Sequence, residues 1–232
     1  MSDVILEVCN LSKTFAEGDR QRRVFSNLNA SIRKGEFVVL LGRSGSGKST
    51  LLNLISGIDL PSGGEVRIGG RNLTGMTEQQ RTLFRRDHIG FVFQFYNLIP
   101  TLNVMENLLL PLELKKSLDA DSQRRALDIR QQVGLEDRCA SYPDRLSGGE
   151  QQRVAICRAL IHNPLVLLAD EPTGNLDAES GREVLALLDQ LIRKGRMTAL
   201  MVTHSAEVAR LADRVITIKD GGLVETAAST EA

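Results

Sequence analysis

The sequence has no apolar run long enough to cross a membrane. No window of 18 consecutive apolar residues occurs, which excludes a membrane-spanning helix within these 232 residues. The first ten residues include Asp3 and Glu7 and lack a basic start followed by an apolar segment, so we expect no secretory signal peptide. A role at a membrane would therefore be exercised through a partner protein.

Cysteines are few, and the net charge is zero. Cys9, Cys139 and Cys157 have neither CxxC nor Cys/His metal-binding spacing, which predicts reduced thiols that serve in packing in a cytosolic compartment. The 29 basic side chains balance 29 acidic ones, which disfavours a large nucleic-acid-binding surface. With 42% hydrophobic residues, the chain can fill one large domain or two closely packed subdomains.

Two kinds of strand pattern occur along the chain. Alternating segments at residues 4–8 and 24–32 predict an antiparallel start, and residues 64–68 fit the same small sheet. Continuous apolar runs are typical of buried strands in a parallel sheet covered by helices. Such runs occupy residues 37–41, 165–169 and 199–202. A hairpin with Asp220-Gly221 as its turn is predicted near the C-terminus, ahead of a polar tail.

The middle of the chain, residues 98–162, has helical character. Asn103 precedes Glu106 by three residues, as Ser147 precedes Glu150, and each pair predicts a capping box at the start of a helix. The order of the elements therefore predicts an α/β fold with a mostly helical segment inserted into its core.

A glycine-rich segment, Gly-Arg-Ser-Gly-Ser-Gly-Lys-Ser, follows the first apolar run and precedes a helical stretch at residues 50–58. Its glycines let consecutive backbone N–H groups turn toward an anion, and the helix N-terminus adds its positive dipole end. We expect Lys48 to reach the β- and γ-phosphates of a nucleotide and Ser49 to ligate Mg²⁺. An ordinary glycine-rich turn is the alternative, which the flanking strand and helix disfavour. The expected nucleotide contacts are Gly42, Ser44, Gly45, Ser46, Gly47, Lys48, Ser49 and Thr50.

Two acidic residues follow the apolar run at 165–169, at the end of a predicted strand where ligands bind in open α/β sheets. We expect Asp170 to hold Mg²⁺ through water, and Glu171 to orient or deprotonate the water that attacks the γ-phosphate. A solvated loop is the alternative for such a pair. The phosphate-binding loop elsewhere in the chain favours the catalytic interpretation, so the residues predict a P-loop nucleoside triphosphatase.

Residues 146–151, Leu-Ser-Gly-Gly-Glu-Gln, resemble the signature motif of ATP-binding cassette (ABC) ATPases. The other family motifs stand in the right order: Gln94 resembles the Q-loop glutamine, Asn175-Leu176-Asp177 the D-loop and His204 the switch histidine. Together they cover nearly the whole chain. The resemblance implies an ATP-hydrolysing enzyme with a RecA-like P-loop NTPase core, an N-terminal antiparallel β subdomain and an inserted α-helical subdomain.

The resemblance also assigns roles to individual residues. Catalysis would use Glu171, His204, Lys48 and Gln94. Gln94 would join Ser49 and Asp170 as a ligand of Mg²⁺. The additional contacts to ATP would come from Ser147, Gly148, Gly149, Glu150 and Asp177. Taken singly, these motifs have plain structural alternatives: a helix cap for Ser147 and Glu150, a polar strand end for Gln94 and a structural histidine for His204.

Phe15 departs from the commonest family pattern, in which an aromatic residue near the N-terminus, usually tyrosine, stacks on adenine. A phenyl ring can still stack on a base, whereas burial in the first sheet is the alternative for this residue. The base is therefore less firmly predicted than the phosphates.

In the family, the signature residues of one cassette close over the γ-phosphate held by another. One chain here carries one copy of each element, so the resemblance implies a homodimer in which Ser147 and Gly149 donate across the interface. Residues 1–228 would form one ABC ATPase domain, with the helical subdomain at about 98–162 and the remainder at about 1–97 and 163–228. Residues 229–232 are expected to form a flexible tail.

Residues 85–112 resemble the ATPases of lipoprotein-releasing and macrolide-exporting transporters, and residues 173–177 fit that branch. The resemblance implies a subunit at the cytoplasmic face of the inner membrane that powers a permease, with an extracytoplasmic accessory protein as a further candidate partner and no nucleic acid. The ATPase of an amino-acid importer remains an alternative, because importers of the methionine type share part of this stretch. A soluble ABC ATPase is disfavoured, since neither a second cassette nor long heptad arms occur.

Overall fold

A computed structural model describes residues 3–18, 20–117, 124, 131, 134–219 and 221–226. The strands in these residues are β1 (Val4–Glu17), β2 (Arg20–Arg33), β3 (Phe37–Leu41), β4 (Gly63–Ile68), β5 (Arg71–Asn72), β6 (Ile89–Val92), β7 (Val166–Asp170), β8 (Ala199–Thr203), β9 (Arg214–Lys219) and β10 (Gly222–Thr226). The α-helices are α1 (Lys48–Ile55), α2 (Glu78–His88), α3 (Val104–Lys115), α4 (Gly148–Leu160), α5 (Ala178–Gly195) and α6 (Ala206–Ala209). Two short 3-10 helices span Glu136–Arg138 and Pro143–Arg145.

The first sheet is antiparallel and has the strand order β2-β1-β4-β5, which confirms the predicted start of the chain. Its first two strands are longer than predicted, because pairing continues from Phe15↔Arg22 to Glu17↔Arg20. That outer part is largely exposed and polar, so it carries no apolar alternation that the sequence could reveal. Gly18 follows β1 with φ +61°, a left-handed conformation that glycine adopts without a steric penalty.

The second sheet has the strand order β10-β9-β3-β8-β7-β6 and is parallel except for its last hairpin. The three predicted buried strands are confirmed as β3, β7 and β8. Side chains alternate along β3: Phe37 and Val39 belong to the core that includes α3, α4 and α5, whereas Val38 and Leu40 belong to the core that includes α1 and the antiparallel sheet. The parallel sheet therefore lies between two hydrophobic layers.

Both predicted capping boxes are confirmed. Asn103 Oδ1 accepts from the Glu106 backbone N–H at 2.9 Å, while the Glu106 carboxylate accepts from the Asn103 N–H at 2.8 Å. Ser147 and Glu150 exchange the equivalent bonds at 3.2 and 2.7 Å, and α4 starts immediately after Ser147. Helix starts at these two positions are therefore set by local chemistry.

The helical segment shares a core with the parallel sheet. A Cβ added to Gly90 on β6 would lie 2.3 Å from the carbonyl oxygen of Ala159, so only glycine lets this strand approach α4 so closely. Cys157 on α4 is buried in the same core, where burial raises the pKa of its thiol. The division at residues 98 and 162 stays a prediction.

The C-terminal hairpin is confirmed, because β9 and β10 pair antiparallel from Gly222↔Lys219 to Thr226↔Val215. Its predicted turn residue Asp220 and the predicted tail at 229–232 lie outside the described residues. Within the described part of the chain, no helix combines the length and apolar character needed to cross a membrane.

His162 is a buried titratable group where α4 meets β6. Its side chain is 6% exposed, and its Nε2 lies 3.2 Å from the carbonyl oxygen of Ile89. Burial lowers the pKa of His162 from 6.5 to about 4; the Ile89 carbonyl opposes this shift, the charge of Lys115 adds to it and the charge of Asp87 opposes it. The ring is therefore neutral in the folded protein at neutral pH.

Stability should fall as the pH drops from about 6.5 to about 4, because in that window the unfolded chain binds a proton at His162 that the folded chain excludes. The contribution, fully present above that window, is up to about 3 kcal/mol of unfolding free energy. Urea denaturation between pH 7.5 and 4.5 measures it. His162→Gln should flatten this dependence, whereas an unchanged slope would contradict the assignment.

Candidate functional site

A tight loop joins β3 to α1 at the carboxyl edge of the parallel sheet. Gly45 and Gly47 have φ values of +77° and +94°. A Cβ on Gly47 would lie 2.7 Å from Val24 Cγ1 and 2.8 Å from Phe25 Cζ, so packing also requires glycine there. The N-cap of α1 is Gly47, which supplies no side chain to the first N–H groups of the helix. The loop therefore presents backbone donors and a helix N-terminus at one place.

Lys48 is buried at the start of α1, with 6% of its surface exposed. Its Nζ donates to the carbonyl oxygens of Gly42 and Arg43 at 2.8 and 3.0 Å and lies 3.8 Å from Glu171 Oε1. These contacts hold the ammonium group inside the loop, facing the carboxyl ends of the strands. Ser46 Oγ, also in the loop, is a buried hydroxyl without a hydrogen-bond partner among the described residues. A group with acceptor oxygens would satisfy it.

A polar cavity of about 460 Å³ opens in front of this loop. Residues from distant parts of the chain meet in it, including Gln94 and the predicted acidic pair. The lining residues are Arg22, Val24, Ser44, Gly45, Gly47, Lys48, Ser49, Thr50, Gln94, Asp170 and Glu171. Six of the predicted phosphate-loop residues and both acidic residues therefore line one cavity. Gly42 and Ser46 line a second cavity instead, together with His204.

Asp170 ends β7 and hydrogen-bonds the hydroxyl of Ser49. Burial raises the pKa of this carboxyl; the Ser49 hydrogen bond opposes the rise, Glu171 adds to it and Lys48 opposes it. A divalent cation would offset the cost of keeping Asp170 ionised. The hydroxyl, the carboxylate and the side-chain amide of Gln94 offer the oxygen donors that Mg²⁺ prefers, so the residues fit this metal.

Glu171 follows β7 in a left-handed conformation with φ 43°, which is uncommon and sterically costly for residues other than glycine. Its N–H donates to the carbonyl oxygen of Val202 at 2.9 Å, and its own carbonyl accepts from Gly174 at 2.9 Å. The carboxylate lies 3.0 Å from His204 Nδ1. Backbone and side-chain contacts thus fix this carboxylate between His204 and the ammonium group of Lys48.

Gln94 connects the cavity to the D-loop. Its Nε2 donates to Asn175 Oδ1 at 3.3 Å, and Asn175 Nδ2 donates to the Gln94 carbonyl at 3.0 Å. Gln152, fully buried on α4, donates to the carbonyl of Pro172 at 2.6 Å. The structure therefore ties the signature helix to the segment that follows Glu171.

Four of the predicted ATP contacts lie at the start of α4, and a fifth lies at the start of α5. Ser147, Gly148, Gly149, Glu150 and Asp177 are absent from the residues that line the cavity. Asp177 Oδ1 caps α5 by accepting from the N–H groups of Glu179 and Ser180 at 3.1 and 3.0 Å. A single chain therefore gathers the phosphate loop and acidic pair, while the signature residues face elsewhere.

Phe15 is half-buried, and neither hydrophobic core of the described residues includes it. Lys13 Nζ lies 4.7 Å from the centroid of its ring, and Arg22 Cζ lies 5.7 Å from it. Lys13 is itself buried, and it pairs with Asp59 at 2.6 Å and donates to the Leu60 carbonyl at 2.8 Å. The ring stands beside the cavity against cationic groups, where stacking on a base stays a prediction.

The sequence interpretation missed Arg22 and Val24 of the cavity wall. Both belong to β2, and alternation along a strand directs residues two apart to the same side. The sequence predicted a strand at residues 24–32, so Val24 was placed in the sheet without a role in the site, whereas Arg22 lies in the charged segment before that strand, where no site was predicted.

A parallel sheet with a glycine loop, a buried lysine and two strand-end carboxylates in one cavity defines a P-loop nucleotide-binding ATPase. A family model described as ABC transporter matches residues 25–174. The chain belongs to the ABC transporter family, and as one of its ATP-binding cassettes it binds ATP.

Relatives match almost the whole chain. An uncharacterized ABC transporter ATP-binding protein of Mycobacterium tuberculosis is 54% identical over 95% of this chain and 89% of its own length. The lipoprotein-releasing system ATP-binding protein LolD of Psychrobacter arcticus is 43% identical over 94% of this chain and 96% of its own. The macrolide export ATP-binding/permease protein MacB of Escherichia coli is 44% identical over 95% of this chain, which corresponds to 34% of that longer protein.

Solved structures show the same fold. A dimeric ATP-binding cassette in a post-hydrolysis state, bound to ADP and Pi, superposes with a TM-score of 0.87 at 40% identity and covers 98% of this chain and 100% of its own. This similarity confirms the predicted P-loop NTPase fold.

Proposed function

We propose that this chain is the ATPase subunit that powers a membrane permease of the export or mechanotransmission type, with cargo such as a lipoprotein, a lipid, a peptide or a drug. The names of LolD and MacB relatives, similar along nearly the whole chain, support the branch. The observation that carries the activity is the cavity in which Lys48, Asp170 and Glu171 meet. These residues come from α1 and from the end of β7, at the sheet edge where α/β proteins bind ligands.

We assign the following task to each residue of the proposed site. Backbone N–H groups of residues 42–50 and the ammonium group of Lys48 bind the phosphates, while Ser49, Gln94 and Asp170 would hold Mg²⁺. The metal would neutralise phosphate charge. Glu171 accepts a proton from the attacking water, and His204 donates from Nδ1 to the Glu171 carboxylate and keeps it oriented.

The second half of the site comes from another copy of the chain. Ser147 and Gly149 start α4 outside the cavity, so in a two-fold dimer they would reach the γ-phosphate bound by the partner's loop. Dimeric solved cassettes of similar sequence support this arrangement. Hydrolysis removes the γ-phosphate contacts and lets the halves separate, which converts chemistry into motion.

The permease would bind at the cytoplasmic face of the inner membrane, beside the Q-loop. Phe95 directly follows Gln94 and is 69% exposed, the largest fraction among the exposed large hydrophobic residues of the described chain. An apolar side chain next to a cavity residue suits a contact that senses the nucleotide. An extracytoplasmic accessory protein would then join through the permease.

Affinity purification of the tagged subunit from detergent-solubilised membranes tests this proposal. We expect a permease with few transmembrane helices and a large extracytoplasmic domain to co-purify. Phe95→Ser should lose that permease while retaining ATP binding, whereas Val224→Ser, at a second exposed apolar residue, should retain both. Recovery of an amino-acid importer permease would contradict the export type and support the importer alternative. Recovery of ribosomes and no membrane protein would overturn the transport function.

A further inference from the structure

Arg22 forms part of the cavity wall on β2. It pairs directly with Phe15 across the β1–β2 ribbon, so the two side chains project from the same face. The guanidinium lies 5.7 Å from the Phe15 ring centroid, and its Nε lies 2.6 Å from Glu17 Oε1. The side chain is 57% exposed, so it is accessible to a ligand entering the cavity.

The position of Arg22 along β2 places it beyond the phosphate loop. Val24, two residues further along the strand, also lines the cavity and packs where a Cβ on Gly47 would lie. Side chains two apart on a strand are separated by roughly 6.6 Å on one face. Arg22 therefore continues the cavity wall along β2, from Val24 beside the N-terminus of α1 toward Phe15.

The charged side chains of the cavity differ in how firmly they are held. The charged residues that line the cavity are Arg22, Lys48, Asp170 and Glu171. The carbonyl groups of the loop and Glu171 surround the ammonium group of Lys48, which holds it at the loop. Among the described residues, the one ion-pair partner of Arg22 is Glu17, and both members of that pair are more than half exposed, which makes the pair weak and easily exchanged.

We propose that Arg22 is a nucleotide-binding residue whose guanidinium exchanges Glu17 for the α-phosphate of the nucleotide. The assignment rests on the proposed binding of the β- and γ-phosphates by the loop ending at Lys48. An anion that fills this loop extends along the wall toward Phe15, and a guanidinium is suited to a phosphate by charge and by its fork of N–H donors. Arg22 then adds affinity at the end of the phosphate chain where no hydrolysis occurs.

Calorimetric titration of the purified chain with ATP and with ADP tests the assignment. Arg22→Gln should weaken both nucleotides by the same factor, roughly tenfold, since both contain the α-phosphate. Arg22→Lys should recover part of the affinity because it retains the charge. Arg23→Gln is the matched control: the neighbouring arginine is exposed and absent from the cavity lining, so the affinity should change less than about twofold.

A charge change at Glu17 gives a second, opposite readout. Glu17→Gln should raise the affinity by up to about fivefold, because the guanidinium loses its competing partner, and should have no effect once Arg22 is glutamine. The assignment is overturned if Arg22→Gln binds both nucleotides like Arg23→Gln, if it weakens ATP alone, or if affinity and thermal midpoint fall together. Failure of the wild-type chain to bind ATP would overturn the proposed function, and this assignment with it.

Discussion

Glu171→Gln is expected to abolish ATP turnover while ATP binding is retained. The amide keeps the size of the side chain, but it cannot accept a proton from water, and loss of a general base lowers kcat by about 10² to 10⁴-fold. The variant should therefore accumulate as an ATP-bound dimer. Phosphate release at saturating ATP and sedimentation velocity measure the two effects. Glu207→Gln, at an exposed carboxylate on α6, is the control and should hydrolyse ATP normally.

Sedimentation tests the composite site of the dimer separately from the role of Glu171 as the general base. A folded Glu171→Gln variant that stays monomeric with saturating ATP would contradict the composite site, even if its turnover were lost. A variant with near-normal turnover would instead contradict the assignment of Glu171 as the base, and the contact with His204 at 3.0 Å would then be structural.

Mixing two inactive variants should restore one trapped nucleotide per mixed dimer. Lys48→Ala removes the phosphate contact, and Ser147→Arg blocks the signature contact. In a mixed dimer both defects fall in one composite site, and the other site is intact. In a Glu171→Gln background, an equal mixture should retain about a quarter of the ATP trapped by the unmixed parent, because half of the dimers are mixed and each has one good site.

ATP retained after rapid desalting measures this complementation. Each variant alone should retain almost none, since its two sites carry the same defect. A mixture that traps no more ATP than either variant alone would show that phosphate loop and signature residues do not come from different chains. Circular dichroism of each variant verifies that Ser147→Arg leaves α4 intact.

Local patterns predicted much of this molecule, because they depend on neighbours in sequence. The apolar runs of β3, β7 and β8 and the capping boxes of α3 and α4 required no knowledge of distant contacts. The capping box that begins α2, in which Thr77 and Gln80 exchange hydrogen bonds, followed the same rule and was overlooked. That helix buries only Arg81 and Phe84, so it lacks the apolar stripe that draws attention to a helix.

Other features depend on contacts between residues far apart in the sequence, which no local pattern predicts. Lys13 is buried because Asp59 and the Leu60 carbonyl, more than 40 residues away, receive its ammonium group. The left-handed conformation of Glu171 arises where β7 lies beside Val202 of β8. The residue types predicted which side chains meet at the cavity, whereas the orientation of the Glu171 carboxylate depends on how distant strands are arranged.

The place of β3 in its sheet has a consequence for synthesis. This strand leads into the phosphate loop, yet its two neighbours are β8 and β9, which the ribosome makes more than 150 residues later. In a nascent chain that ends before residue 199, both edges of β3 are therefore unpaired, and the strand that precedes the phosphate loop is not held in a sheet. We therefore expect nucleotide binding only after residues 199–219 have been made, and until then the unpaired edges of β3 are sites at which the growing polypeptide can aggregate.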